Sequence, residues 1–431
     1  MERELALELM DFIYNSPSAF HAVETIKNEL SKENYIELSE GEKWNLEHNK
    51  NYYVTRNGSA LIAFKTGSKL PQDAGFKLVG AHTDSPSFRI KPNPEIISEG
   101  VYVKLNTEVY GGPILSTWMD RPLGIAGRVT LKSDNILFPE SKLINIAKPI
   151  VIIPNLAIHM NREVNKGVEL NKQKDTLPLI ALINESLEEN NYLIKLLAEE
   201  LKVEVKEIID FDLFLYEYEK GCFVGLNEEF ISSSRLDDLS MVHAGIKALL
   251  NSKNVEATNV MVCFDNEEIG SSTKQGADSE LLSKILERIV LSFGGNREDY
   301  FRALSKSFMI SADLAHAVHS NRGEKHDPIN RPLINKGPVI KISANHKYTS
   351  DSDSSSVYEL ICKKAGVPVQ KFVNRSDMVG GSTIGPISST HLDIRCVDMG
   401  SPIFAMHSIR ELGGVKDHYY VIKSFEEFYN I

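Results

Sequence analysis

The spacing of apolar and polar positions predicts alternating helices and strands along most of the chain. Residues 1 to about 50 carry apolar positions at helical spacing, as in Leu5, Leu9 and Phe12, and are predicted to be helical. Two strand-like runs around Asn57-Gly58 predict a β-hairpin over 52–64. Shorter apolar runs predict buried strands, and longer amphipathic stretches predict helices. We expect strands at 76–81, 260–264, 308–312, 338–342 and 369–372, and helices at 241–250, 279–293, 354–365 and the C-terminus.

The pattern changes between about residues 90 and 229, where short β-like runs replace the alternation of strand and helix. These runs lie at 101–105, 125–131, 143–146 and 149–153, and one helix-like segment covers roughly 179–201. A block of this kind between two α/β regions is typical of an inserted domain. We therefore expect a discontinuous α/β domain over 1–90 and 230–431, interrupted by a β-rich domain over 91–229.

Composition narrows the class of protein. The chain has 431 residues, 42% hydrophobic and 25% charged, which predicts a soluble globular protein of two domains or of one with a large insertion. A net charge of −11 without a long basic run argues against a nucleic-acid or anionic-membrane surface. No apolar run has the length of a membrane span, and the acidic N-terminus is unlike a secretory signal. The four cysteines lie far apart without CxxC spacing, which indicates reduced thiols and a cytoplasmic protein.

Polar side chains with metal-ligand chemistry follow several of the apolar runs. Because the carboxyl ends of parallel strands meet at one edge of an α/β sheet, we expect these side chains to lie close together. Histidines together with carboxylates suit Zn²⁺, Mn²⁺ or Co²⁺ better than Ca²⁺, which prefers an all-oxygen shell. A two-metal hydrolase needs a bridging carboxylate, further ligands for each ion and a base for the bridging water. The residues that could supply this set are His82, Asp237, Glu267, Glu268, Asp313 and His407.

The adjacent pair Glu267-Glu268 follows the apolar run 260–264. Successive side chains of a strand point to opposite faces, so one glutamate could bind a metal while the other moves protons. Asp84 lies two residues after His82, on the same face of an extended strand, and could hold the second imidazole nitrogen. Each candidate alone has an ordinary structural explanation, such as a helix N-cap for Asp237. All of them together, each just after an apolar run, favour a metal centre.

Five segments carry longer motifs around these candidates: AHTDSP (81–86), SRLD (234–237), DNEEIGS (265–271), SADLAHA (311–317) and AMHSIRE (405–411). Together they resemble the M18 family of metallo-aminopeptidases, which includes aspartyl aminopeptidase and vacuolar aminopeptidase I. The resemblance runs in order from about residue 10 to the C-terminus. The resemblance implies an α/β fold with a mixed-sheet zinc-aminopeptidase (phosphorylase/hydrolase-like) catalytic domain and an inserted β-rich dimerisation domain. It also implies a homo-oligomer, a dodecamer built from dimers.

The resemblance also implies a role for each candidate. Glu267 would be the general base, and Asp84 would orient His82. His159, which would otherwise be an ordinary strand histidine, would reach the site of a partner subunit and help to hold the substrate carbonyl. The implied ligands are His82 and Asp313 for one metal, Glu268 and His407 for the other, and Asp237 as the bridge.

Two further segments lie near the substrate pocket of the family. The expected substrate contacts are Lys347, Tyr348, Met378, Gly380 and Gly381. The stretch 376–383 departs from the form found in aspartyl aminopeptidases, and Asp351 and Asp353 stand where those enzymes carry neutral residues. Extra carboxylates there would disfavour an acidic N-terminal residue by like-charge repulsion, so acidic and neutral preferences both stay open.

The expected function is a co-catalytic two-metal aminopeptidase that releases N-terminal amino acids from peptides with a free N-terminus. Two divalent ions per subunit are expected, zinc first, with cobalt or manganese as alternatives. A metal-dependent carboxypeptidase or N-deacylase of the same clan stays open, as does an inactive metal-stabilised shell. The additional carboxylate of Glu267 argues against the shell, because a structural site needs no base. Serine chemistry is disfavoured, since 381–384 lacks the Gly-x-Ser-x-Gly turn.

Overall fold

The computed structural model describes residues 1–183, 191–253 and 255–431. Helices and strands of the described residues are numbered in chain order. The helices are α1 (Glu2–Tyr14), α2 (Ala19–Lys32), α3 (Pro71–Ala74), α4 (Tyr192–Leu201), α5 (Leu236–Asn251), α6 (Leu281–Ser292), α7 (Arg297–Ser305), α8 (Ser352–Ala365), α9 (Ile384–Leu392) and α10 (Val415–Asn430). The strands are β1 (Ile36–Glu37), β2 (Asn51–Arg56), β3 (Ala60–Lys65), β4 (Phe76–His82), β5 (Ser87–Ser98), β6 (Tyr102–Tyr110), β7 (Leu123–Leu131), β8 (Glu140–Val151), β9 (Leu179–Leu182), β10 (Ile208–Glu217), β11 (Cys222–Val224), β12 (Phe230–Ser233), β13 (Thr258–Phe264), β14 (Phe308–Ala312), β15 (Ala315–His316), β16 (Val339–Ile342), β17 (Gln370–Val373), β18 (Arg395–Gly400), β19 (Pro402–Ile403) and β20 (Glu411–Gly414).

The chain divides into two compact units. The first comprises Met1–Asp84, Gly221–Met406 and Glu411–Ile431, and the second comprises Ser85–Lys220 and His407–Arg410. Division is expected at this length, because a single hydrophobic core stops growing at roughly 250–300 residues.

The first unit is built on a nine-stranded mixed sheet with the order β1-β2-β3-β13-β4-β14-β18-β16-β17. Its centre is parallel, since β13 and β14 both run parallel to β4, and β18 runs parallel to β14. All residues of β13 are buried, as expected for a strand covered on both faces. The α/β fold with a mixed sheet, predicted from the sequence, is confirmed. Because the parallel strands end at one edge, the residues that follow β4, β13 and β14 meet there.

Helices cover both faces of this sheet. Met261 and Cys263 of β13 join one core, together with side chains of α1, α2, α5, α8 and α10. Val260 and Val262 join the other, together with side chains of α6, α7 and α9. Neighbouring side chains of β13 point to opposite faces of the sheet, so this one strand contributes to both cores. No helix in the described part of the chain combines the length and the apolar character needed to cross a bilayer.

The second unit contains a six-stranded sheet with the order β8-β7-β10-β5-β6-β9. The strand pairs of this sheet are antiparallel. Leu193 and Leu197 of α4 pack into its core with Leu123 and Ile125 of β7. Alternating residues of β7 and β10 therefore form the buried layer of this unit.

Several elements differ from the sequence pattern. Helix α2 ends at Lys32, so the predicted helical character of 33–50 is wrong; these residues form β1 and turns. The runs 143–146 and 149–153 belong largely to the single strand β8. Of the helix predicted at 179–201, residues 179–182 form β9, which pairs with β6, and only 192–201 is helical. Residues 184–190 of that prediction lie outside the described residues. Short apolar runs do not distinguish strand from helix until a partner strand is present.

Candidate metal centre

The edge of the nine-stranded sheet brings together most of the predicted ligands. His82 ends β4, Glu267 and Glu268 follow β13, Asp313 follows β14, and Asp237 lies in the first turn of α5. Potential ligand atoms of His82, Asp237, Asp238 and Asp313 all lie within 4.8 Å of one another. Those of His82, Glu267 and Glu268 do the same. His82 is therefore common to both groups.

His82 is 1% exposed and is held by carboxylates on both sides of its ring. Its Nδ1 lies 3.3 Å from Asp84 Oδ1 and 3.1 Å from the Asp84 carbonyl oxygen. Its Nε2 lies 3.5 Å from Asp237 Oδ1 and 3.9 Å from Asp238 Oδ2. With Nδ1 held by Asp84, Nε2 is the nitrogen that faces the other carboxylates, which is the usual arrangement of a metal-binding histidine and its supporting acid.

Asp84 also fixes the turn that carries the two glutamates. Its Oδ1 accepts the N–H of Glu267 and its Oδ2 accepts the N–H of Glu268, each at 3.1 Å. Residues 267–269 form a 3₁₀ turn that is entered through Asn266 with φ 64°. The expectation that the two glutamates alternate like strand residues is therefore wrong. The chain has left the sheet, and a helical turn rather than a pleat sets their directions.

Asp237 and Asp238 precede the regular part of α5. Their backbone angles are non-helical, and the peptide bond between them is cis. Glu411 accepts the N–H of Asp237 at 3.0 Å, and Asp238 Oδ2 accepts the N–H of His82 at 3.0 Å. Asp237 is thus not the N-cap, a position that Arg235 occupies. Asp238 was not among the sequence candidates, although its adjacency to Asp237 was a signal.

Asp313 is paired with a buried lysine that the sequence analysis did not single out. Lys341 Nζ lies 3.2 Å from Asp313 Oδ2 and donates to the Leu314 carbonyl at 3.1 Å. Burial lowers the pKa of Lys341, but the carboxylates of Asp313 and Asp398 outweigh burial and raise it, so the ammonium is retained. Lys341 is 2% exposed. A lysine inside a predicted buried strand breaks the apolar pattern, and that break was the available signal.

The electrostatics of the cluster fit a bound cation. Burial and neighbouring carboxylates raise the pKa of Asp238, and burial raises that of Glu267 to about 7. Burial lowers the pKa of His82, but the surrounding carboxylates, Asp238 first, outweigh it and hold the pKa well above its ordinary value. Asp238 Oδ1 is buried without a hydrogen-bond partner among the described residues. Imidazole and carboxylate donors at this spacing suit zinc, whose charge would favour the ionised carboxylates.

His407 and His159 belong to the second unit. His407 Nδ1 lies 3.1 Å from the carbonyl oxygen of Gly112, and its φ is 66°. His159 lies in an exposed turn between Ile158 and Met160, which are 48% and 70% exposed. The ordinary interpretation of His159 as a strand residue is therefore wrong.

The segments predicted to contact substrate are tied to one another by Asp398. This buried carboxylate accepts the Thr383 hydroxyl at 2.7 Å and the N–H of Thr349 at 2.6 Å. Ser382 Oγ donates to the Lys347 carbonyl at 3.1 Å. Residues 347–349 and 382–383, far apart in sequence, thus meet at a single acid.

Tyr348 and the glycine-containing segment occupy different surroundings. The ring of Tyr348 is buried, with Lys341 Nζ 5.4 Å from its centroid, and so lies beside the lysine that holds Asp313. Met378, Gly380 and Gly381 instead line a cavity of about 280 Å³.

Asp351 and Asp353, which were expected to repel acidic substrates, interact with other groups of the protein. Asp351 caps α8 by accepting the N–H of Ser354 at 2.7 Å, and Asp353 pairs with Arg395 at 2.6 Å. Neither lines the cavity beside 378–381.

Known proteins similar to this chain include zinc metalloproteases. The profile of the Aminopeptidase I zinc metalloprotease (M18) family matches residues 12–429. A probable M18 family aminopeptidase 2 of Clostridium novyi (strain NT) is 67% identical over 428 residues, which cover 99% of each chain. The cryo-EM structure of the Ape4 and Nbr1 complex superposes with a TM-score of 0.95 at 36% identity, covering 99% of this chain and 86% of that one. The S. cerevisiae mApe1 dodecamer gives a TM-score of 0.85 at 28% identity, covering 98% and 95%.

The match extends over almost the whole chain. It does not favour the carboxypeptidase, deacylase or inactive-shell alternatives. The predicted activity, a metal-dependent aminopeptidase of the hydrolase class, is confirmed. The chain belongs to the M18 family of zinc metallo-aminopeptidases.

Proposed function

We propose that this aminopeptidase uses a pair of divalent metals and that Glu267 is its general base. The observation that carries the proposal is the edge cluster, in which ligand atoms of His82, Asp237 and Asp313 lie within 4.8 Å of one another. Glu267 stays only half-buried beside this cluster, within 4.8 Å of His82 and Glu268. A carboxylate so placed can reach both a water and a substrate amine.

The proposed ligands combine the edge cluster with the sequence motifs. Zinc is the expected metal, with cobalt or manganese as alternatives, and two ions per subunit are proposed. When bound, they would supply Lewis acidity to the attacking water and to the scissile carbonyl. His407 is assigned from its sequence motif. The ligands would be His82 and Asp313 for one ion, Glu268 and His407 for the other, and Asp237 between them.

The side chains of the protein move and hold the protons. Glu267 would take a proton from the attacking water and deliver it to the leaving amine. Asp84 accepts the backbone N–H of Glu267, and this hydrogen bond fixes the turn that carries the Glu267 carboxylate. Burial raises the pKa of Asp313, and the ammonium of Lys341, 3.2 Å away, opposes that shift and favours the ionised carboxylate. Carboxylates near the metals would also attract the free α-ammonium group of the substrate, which favours exopeptidase action.

The second unit is proposed to mediate self-association. Leu156, Ile158 and Met160 are exposed around His159, which is typical of a surface that another subunit covers. A related yeast protein is a dodecamer, and we propose the same assembly here, with residues 91–229 as the dimerisation domain. His159 would then enter a partner's site and hold the substrate carbonyl. Cys263, Cys362 and Cys396 are free cysteines buried in the protein, which supports a reducing compartment such as the cytoplasm.

Hydrolysis of an aminoacyl-anilide panel tests the proposal. The substrates carry Asp, Glu, Leu, Met or Lys, and the enzyme is assayed after chelation and after re-addition of Zn²⁺, Mn²⁺ or Co²⁺. We expect metal to restore cleavage of the free-amine substrates and to leave their N-acetylated counterparts intact. Restoration with one metal equivalent per subunit would contradict the two-metal proposal, and cleavage of the N-acetylated substrates would contradict the free-amine requirement.

A further inference from the structure

We propose that the cavity beside residues 378–381 is an anion-binding subsite that takes a carboxylate from the second residue of the peptide substrate. The inference rests on the proposed aminopeptidase function and names a substrate class for it. The cavity has a volume of about 280 Å³, enough for one acidic side chain.

The charge of the lining favours an anion. Lys325 and Arg375 line the cavity, and none of its described lining residues is acidic. Three histidines add further polar groups, and the rings of Phe372 and Phe404 supply apolar walls. A cavity that combines cations, imidazoles and aromatic walls suits a carboxylate on a short methylene chain.

Two of these histidines are held in tautomers that can donate hydrogen bonds. His319 Nδ1 accepts the N–H of Asn321 at 3.1 Å, so the neutral ring carries its proton on Nε2. His326 Nε2 accepts the N–H of His319 at 3.4 Å, so its proton lies on Nδ1. Each ring therefore keeps an N–H donor, which matches an acceptor such as a carboxylate rather than a cation.

The guanidinium of Arg375 is held in place by the surrounding chain. Its Nε lies 2.8 Å from Asp377 Oδ1, and its Nη1 donates to the Glu324 carbonyl oxygen. Asp377 balances part of the Arg375 charge, although it does not line the cavity. Lys325 is therefore the main source of net positive charge, and it is the residue to change.

The position of the cavity indicates the second residue rather than the first. The amino-terminal residue must lie against the metals, yet neither the proposed ligands nor Tyr348 line this cavity. His316 lines it, three residues after Asp313, and its ring lies 5.9 Å from Phe372. Phe372 lines the cavity and its ring centroid lies 6.4 Å from that of Tyr348, which does not line it. A group one residue further along the peptide fits this location.

The test compares peptides that share a first residue, leucine, and carry either Glu or Gln second. We expect kcat/KM to favour the Glu peptide by about fivefold, mainly through KM, as for a partly exposed charge pair. Lys325→Gln should abolish this preference and Lys325→Arg should keep it. Arg322→Gln is the matched control, because Arg322 lies in the same loop but does not line the cavity. Size-exclusion chromatography checks that all variants keep the same assembly.

Other results of the peptide comparison would contradict either the subsite or the proposed function. Equal rates for the two peptides, with both cleaved, would overturn the subsite and leave the aminopeptidase function intact. No cleavage of either peptide by the metal-loaded enzyme would overturn the proposed function as well. A Lys325-dependent preference for Glu at the first position instead would refute the assignment to the second residue. Free glutarate should compete against the Glu peptide in the wild type but not in Lys325→Gln; equal competition in both enzymes would overturn the assignment of the anion subsite to this cavity.

Discussion

At the scale of single residues, Asp84 connects the histidine of one strand to the glutamates that follow another. It contacts the His82 imidazole and accepts the N–H groups of both Glu267 and Glu268. One carboxylate thereby sets the position of a proposed ligand and of the proposed base. Because Asp84 holds the backbone of Glu267 and not its side chain, we expect that the base can be changed without dismantling the ligand set.

Glu267→Gln should therefore lower kcat without removing the metals. Glutamine has nearly the same shape but cannot accept the proton, so a loss of about 10²–10⁴-fold is expected. Metal content by mass spectrometry and peptide hydrolysis at matched metal occupancy provide the measurement. Glu268→Gln is the matched comparison, since it should lose metal as well as activity. A Glu267→Gln enzyme that retains most of its activity would disprove the assignment of the base.

Lys341→Met should destabilise the metal-free protein more than the metal-loaded one. The substitution leaves the buried Asp313 without its counter-ion, at an expected cost of about 3 kcal/mol in the free energy of unfolding. A bound cation next to Asp313 would offset part of that cost. Urea unfolding with and without Zn²⁺ measures the difference. An equal loss in both forms would show that Asp313 does not contact the metal.

At the scale of elements, α9 and β18 approach closely at Gly385. A Cβ at this position would lie 2.5 Å from both carboxylate oxygens of Asp398. Asp398 in turn holds Thr349 and Thr383 next to the predicted substrate segments. The packing of one helix on one strand therefore positions two loops.

Gly385→Ala should lower stability and disturb those loops together. We expect a loss of about 1–3 kcal/mol in the free energy of unfolding, as for an overpacked core, and a raised KM. Denaturant unfolding and steady-state kinetics are the measurements. Gly41→Ala is the control, since the nearest atom to its Cβ would be 3.7 Å away. Unchanged stability in Gly385→Ala would mean that Asp398 can move without affecting the loops.

At the scale of the whole molecule, the core of the first unit contains a pair of neutral histidines. His243 Nδ1 lies 2.9 Å from His418 Nε2, and the His243 ring packs against Phe12 at 5.4 Å. Burial lowers the pKa of His418 to about 3 and, with His418 and Lys247, that of His243 well below its ordinary value. The unfolded chain takes up protons below a pH of about 6.5, whereas the folded chain does not. These two histidines therefore do not reduce the free energy of unfolding above that pH, and they reduce it progressively as the pH falls below it.

His418→Gln should flatten the acid side of the stability profile. At pH 5 the buried neutral His418 lowers the free energy of unfolding by roughly 2 kcal/mol relative to neutral pH, and the variant does not suffer this loss. Asp417, whose pKa burial raises to about 7, acts in the opposite direction and stays in both proteins. Urea unfolding between pH 5 and 8 gives the slopes, with the exposed His391→Gln as control. Parallel profiles for wild type and His418→Gln would disprove the proposed cost.

The amino-acid sequence by itself determined the elements whose pattern is local. Strand β13 follows from an unbroken apolar run, and the hairpin at 52–64 follows from alternation around Asn57-Gly58. The ligand types at the ends of β4, β13 and β14 also follow from sequence, because parallel strands deliver their last residues to one edge. A buried strand, a tight turn and a ligand side chain each depend on a few neighbouring residues, so they can be recognised in the amino-acid sequence.

Only the tertiary structure decided which distant groups meet. The pairing of Lys341 with Asp313, the approach of Asp238 to His82 and the cavity beside 378–381 join separate segments. The 3₁₀ turn at Glu267 and the pairing of β9 with β6 likewise depend on partners from elsewhere in the chain. A hydrogen bond or ion pair between residues far apart in the chain is not indicated by any periodic pattern in the sequence. It forms because the packed strands bring its two groups within reach.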